Sequence, residues 1–169
     1  MTKYIHYGSD SFDPDLFFPI KNSSWATKPV DGGGLWASRE NDPLGWNAWC
    51  RENRYKVHSL ERYFRFSVPN DSNILTLEDP DQLIDLPKIK PWEPKDLSWI
   101  DTIEPGAIPS EEQLMQLYSP NPCCIDFEKL IQNGVDAVEL INCAAFKDSL
   151  DIWDCNCILI MNPNIIRPE

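Results

Sequence analysis

The stretch that most constrains this chain is Lys28-Pro29-Val30-Asp31-Gly32-Gly33-Gly34-Leu35-Trp36-Ala37-Ser38, followed closely by Pro43-Leu44-Gly45-Trp46-Asn47-Ala48-Trp49-Cys50. Three of the seven glycines in 169 residues stand together here, directly before a short apolar-aromatic run. Glycine lets the backbone turn with positive φ and lets another group approach where a Cβ would intrude. Leu35-Trp36-Ala37-Ser38 reads as a brief strand. Asn41-Asp42-Pro43 reads as a helix start, with a capping side chain followed by a proline whose missing N–H costs nothing there. The helix after it would place Trp46, Trp49 and Cys50 on one face, three and four residues apart. Glycine turn, aromatic strand and tryptophan-bearing helix together predict one wall of a pocket.

Charge narrows the function classes. Twenty-seven acidic residues against fifteen Lys and Arg leave a net charge of −12. That argues against direct nucleic-acid binding, which needs a concentrated positive face. Seven tryptophans and fifteen prolines suit a globular, loop-rich chain, and the length suits a single domain over residues 1–169. Met1-Thr2-Lys3-Tyr4-Ile5-His6 has no apolar leader character and no segment approaches spanning length, so a cytoplasmic location, bacterial or in an infected host cell, is expected with no membrane partner. In that compartment the six cysteines are expected as thiols. Cys123-Cys124 are adjacent, Cys155-x-Cys157 has the wrong gap for a zinc knuckle, and no metal is expected.

Along the chain, Tyr4–Ser9 reads as a strand carrying His6 and ending in a Gly8-Ser9 turn. Glu61–Val68 alternates polar and apolar residues, and Asn73–Leu77 is a further strand. Asp79-Pro80 starts a short helix through Leu83 and Ile84. Residues 87–109 form a proline-rich ordered loop that Trp92 and Trp99 would pin to the body. Ser110-Glu111-Glu112-Gln113 is a capping box, and a second helix from about Asp126 stops at Asn133-Gly134. Val135–Leu140 and Cys157–Met161 complete about six strands, hence an α+β fold.

The order of these motifs resembles the ADP-ribosyltransferase superfamily of the diphtheria-toxin-like kind, whose signature is a His, a Tyr and a Glu on three separate strands. A strand ending His-Tyr-Gly-Ser comes first, then Gly-Gly-Leu-Trp-Ala-Ser, then a helix bearing an aromatic residue. The chain closes Gly-Val-Asp-Ala-Val-Glu-Leu and Cys-Ile-Leu-Ile-Met-Asn-Pro-Asn. It is similar to small microbial and phage members, over roughly residues 4–50 and 125–166. The resemblance implies a split β-sheet with short peripheral helices, and NAD as substrate. It also implies mono-ADP-ribosylation of a protein target by an effector, toxin or phage host-takeover factor.

By that resemblance His6 bonds the NAD ribose, with Tyr7, Gly8 and Ser9 beside it. Trp36 replaces the strand tyrosine, Ser38 supplies that strand's hydroxyl, and Trp46 is the helical aromatic of the nicotinamide pocket. Where the family glutamate enters the last strand, this chain has Asn156 or Cys157. Two acids could take its place, Glu139 and Asp154; Glu139 is preferred slightly because a strand holds a side chain more rigidly than an approach loop. Two alternatives stand beside the enzyme. One is a non-catalytic nucleotide-binding protein of the same fold. The other is an acidic interaction or inhibitor protein whose charge meets a basic partner, with Asp79, Asp81 and Asp85 as its test positions.

Overall fold

The computed structural model describes residues 1–169 as a mixed α+β fold: one seven-stranded sheet and three short α-helices. The strands are β1 (Thr2–Tyr7), β2 (Leu35–Arg39), β3 (Tyr63–Val68), β4 (Ile74–Leu77), β5 (Ala137–Leu140), β6 (Cys157–Ile160) and β7 (Arg167–Pro168). The helices are α1 (Trp46–Glu52), α2 (Glu111–Tyr118) and α3 (Phe127–Gln132). Across the sheet the order is β4-β5-β6-β2-β1-β3-β7. All neighbours are antiparallel except β4 and β5.

Period-two side-chain alternation gives the sheet two apolar faces. Val138, Leu140 and Leu159 pack on one side with Phe127, Leu130, Phe146 and Trp153. Ala37, Ile158 and Ile160 face the other side with Tyr4, Phe66 and Val68. Glycine is required where the chain crosses the sheet end. Gly34 has φ +69°, and a Cβ there would lie 2.7 Å from the Ile160 carbonyl oxygen.

Several sequence expectations change. A seventh strand, β7, pairs Phe66 with Pro168, and a two-residue edge strand leaves no periodicity to read. The segment after Asp79 is a single 3-10 turn, Pro80–Leu83, closed by an Asp79–Gln82 capping box. Helix α1 begins at Trp46, not at Asn41-Asp42-Pro43. Those residues form a turn in which Asp42 Oδ1 accepts the Leu44 N–H at 2.8 Å. Helix α1 takes its N-terminal support from tertiary structure: the Ser38 hydroxyl accepts the Trp46 N–H at 2.9 Å. Gly45 permits that approach, since a Cβ would sit 2.9 Å from Ser38 Cβ.

Helix α2 keeps its expected box, Ser110 and Gln113 capping each other. Asp126 caps α3, and the Asn22 side chain accepts the Phe127 N–H at 2.9 Å. In the proline-rich segment Trp92 packs against the core and donates its indole N–H to Asn121 O at 2.9 Å. Trp99 is half-buried, and its indole nitrogen finds no partner. No helix is long and apolar enough to cross a membrane.

Candidate functional site

Strands β1 and β2 pair only at Tyr4–Arg39 and Ile5–Ser38. Beyond Ile5 they part: β1 stays with β3 through Tyr7–Tyr63, and β2 stays with β6 back to Leu35–Ile160. A side chain spans the gap. His6 Nδ1 lies 2.7 Å from the Trp36 carbonyl oxygen. A carbonyl can only accept, so Nδ1 carries the proton and Nε2 is left as an acceptor. Burial holds the imidazole below the ordinary histidine value, against the opposing pull of the Trp36 carbonyl. The ring is therefore neutral near pH 7, and Phe64 backs it at 5.1 Å between centroids.

The gap opens into a cavity of about 340 Å³. Its lining brings together His6, Tyr7, Trp36, Ser38, Trp46 and Asp154. The Lys28–Gly32 turn forms part of the same wall, as the sequence predicted for this stretch. Gly8 and Ser9 lie outside the lining. Gly8, at φ +109°, ends β1 with its N–H on Arg62 O at 2.8 Å.

Ser38 reaches the lining with its hydrogen bonds already engaged. Its hydroxyl donates to Asn156 O at 2.9 Å while accepting from Trp46. It positions β6 and α1 against β2 rather than offering a free donor. Trp46 stacks on Trp49, 5.2 Å between centroids, and Tyr55 meets both edge-on.

The two candidate acids part company. Glu139 is 2% exposed and lines no part of the cavity. Its Oε1 accepts from the Tyr4 hydroxyl at 3.0 Å and from Arg39 Nε at 2.8 Å. Oε2 accepts from Arg39 Nη2 at 2.8 Å. The carboxylate thus ties β5 to β2 and β1 across the sheet, and both oxygens are occupied. The preference for Glu139 on grounds of rigidity is not supported: the strand holds it rigidly, in a place away from the cleft. Asp154, on the approach to β6, faces the cavity with a side chain 39% exposed.

Two contributors have a part that the sequence does not assign them. Trp153 forms the inner wall, edge-on to Trp36 at 4.8 Å and bonded through its indole N–H to Thr27 O at 3.0 Å. Its position directly before a candidate acid was the available signal. Lys28 places Nζ 5.5 Å from the Trp36 ring centroid and 3.9 Å from Asp154 Oδ2. Only the fold could bring that lysine to that acid.

No family model, curated protein or solved structure matches this chain. The site therefore stands on its own chemistry. Aromatic faces, a neutral histidine acceptor and two lining carboxylates, Asp31 and Asp154, suit a ligand with a flat cationic ring and hydroxyl groups.

Cys155 and Cys157 also reach the cavity lining. The Cys155 side chain and burial raise the Cys157 thiol well above its ordinary value. Such a thiol is a poor nucleophile. All six cysteines are free, and no cluster of His, Cys, Asp and Glu has the arrangement of a metal site.

Proposed function

We propose that this chain is an NAD-binding protein of the ADP-ribosyltransferase-like kind, acting on a protein target. The observation that carries the reading is the meeting of His6, Trp36, Trp46 and Asp154 in one cleft between two splayed strands. Those residues come from β1, β2, α1 and the approach to β6. The parting of β1 and β2 beyond Ile5, within one continuous sheet, supports the reading by opening room for a ligand between them.

Each residue then has a task. His6, with Nδ1 held by Trp36, offers Nε2 to a ribose hydroxyl. Trp36 and Trp46 present ring surface to the nicotinamide, which is a flat cation until its glycosidic bond breaks. Asp154 supplies negative charge where the sugar becomes oxocarbenium-like, an interaction that grows toward the transition state. Trp153 closes the inner wall and limits water.

The test is nicotinamide release from NAD, with and without lysate proteins as acceptors. Release that disappears in Asp154→Asn while NAD still binds supports the enzyme. Failure of NAD to bind at all would sink the reading.

One contact favours a second reading, a binder that does not cleave. Lys28 approaches both the Trp36 face and the Asp154 carboxylate, the two features that cleavage would use. NAD binding without nicotinamide release, unchanged in Lys28→Met, would establish the binder over the enzyme.

A further inference from the structure

A second cavity, of about 410 Å³, adjoins the first and shares Ile5, Tyr7, Ser38 and Trp46 with it. Its own side is built by Arg39, Asn41, Asp42, Asn47 and Arg51. The polar groups there divide into those already satisfied and those still open. Asp42 is spent inward, Oδ1 on the Leu44 N–H at 2.8 Å and Oδ2 on Asn156 Nδ2 at 3.2 Å. Arg39 gives Nε and Nη2 to Glu139, which leaves Nη1.

Arg51 differs from both. Its Nε donates to Asn47 Oδ1 at 2.8 Å, one helical turn away, and Asn47 Nδ2 donates to the Tyr7 hydroxyl at 2.9 Å. This chain of bonds orients the guanidinium from β1 through α1 and leaves both terminal nitrogens open. Of the cations lining either cavity, Lys28 and Arg39 have carboxylate partners and Arg51 has none. In a chain of net charge −12, this pocket presents oriented N–H donors where the neighbouring carboxylates are already engaged. A planar fork of this kind matches a carboxylate or phosphate with two parallel hydrogen bonds.

We propose that this second cavity is a subsite for a phosphate or carboxylate group, gripped by Arg51 with Arg39 Nη1 beside it. Its continuity with the first cleft makes it a place for an anionic part of what is processed there. Only that last assignment rests on the NAD reading.

The test uses the full chain, labelled with ¹⁵N, titrated with inorganic phosphate and with pyrophosphate. The Arg51 Nε–H and Asn47 side-chain amide resonances should shift and saturate in the millimolar range. Arg51→Gln should weaken binding about tenfold or more, because charge-assisted bonds are lost. Arg51→Lys should weaken it less, since charge remains while the fork is lost. Arg51 is exposed and bonds only Asn47, so an unchanged melting curve is expected for both variants. Arg54→Gln, just beyond the same helix and outside the cavity, should leave binding unchanged. Absence of saturation, or an equal loss in Arg54→Gln, would overturn the subsite.

Competition identifies the source of the anion. Displacement of phosphate by ADP-ribose assigns the subsite to the phosphates of NAD. Simultaneous binding assigns it to an acidic or phosphorylated second substrate. Phosphate binding in a protein that ignores NAD would sustain the subsite and remove the NAD reading.

Discussion

His6 Nδ1 donates to the carbonyl oxygen of Trp36 at 2.7 Å, where β1 and β2 no longer share backbone pairs. One hydrogen bond therefore both bridges the splayed strands and selects the tautomer that leaves Nε2 as an acceptor. Structure and ligand binding are coupled in this residue.

His6→Ala should lower stability and weaken NAD binding, each by about 0.5–1.5 kcal/mol, the net worth of a hydrogen bond. Urea unfolding measures the first and calorimetric titration the second. Loss of binding with unchanged stability would mean that the Trp36 contact does not tether the strands.

The same histidine sets a pH dependence. Its value is lowered in the folded state, so the unfolded chain binds the proton more readily. Its contribution is complete above the unfolded value of about 6.5 and is lost as pH falls through the folded value. Urea midpoints should therefore fall below about pH 6.5 in the parent more steeply than in His6→Ala. Parallel curves would show that His6 is not buried as a neutral ring.

Glu139→Gln should act on folding rather than on chemistry. The amide cannot accept at both ends, so the bidentate grip on Arg39 or the bond from Tyr4 is broken. A cost of about 1–3 kcal/mol is expected, moderated because the Arg39 side chain is 44% exposed and stays partly solvated. Thermal and urea denaturation check it. Turnover per folded molecule should be unchanged, and a loss confined to turnover would return Glu139 to the candidate catalytic acids.

Asp154→Asn should show the converse pattern, with stability near that of the parent and nicotinamide release lost. Its one close ion pair, with Lys28 at 3.9 Å, is long and partly exposed, so little folding energy depends on it. Comparing kcat with NAD affinity separates this from a binding defect, because a transition-state interaction falls in kcat.

Gly34→Ala should destabilise by about 1–3 kcal/mol, since a non-glycine residue at positive φ is strained. The close approach of the added Cβ to the Ile160 carbonyl adds a steric cost. Gly32→Ala, at φ +86° with open space around it, should cost less. Equal effects at both positions would mean that the close approach to β6 is relieved by movement of the backbone.

Much of this molecule was written locally. The alternation in Tyr63–Val68, the Ser110–Gln113 and Asp79–Gln82 caps and the Asn133-Gly134 stop each involve residues a few positions apart. Such preferences survive in any context that does not override them. The sequence also determined which residue types could build a cleft, because Trp36, Trp46 and His6 carry their chemistry wherever they land. The tertiary structure alone decided which of the two candidate acids faces that cleft. Glu139 and Asp154 differ little as residues; strand register buries one against Tyr4 and Arg39, and a turn before β6 delivers the other to the cavity. Likewise the start of α1 depended on Ser38, on a separate strand, rather than on the capping residues beside it. Pairing across strands is fixed by register and by the path of the chain, and neither is encoded in the spacing of the two partners.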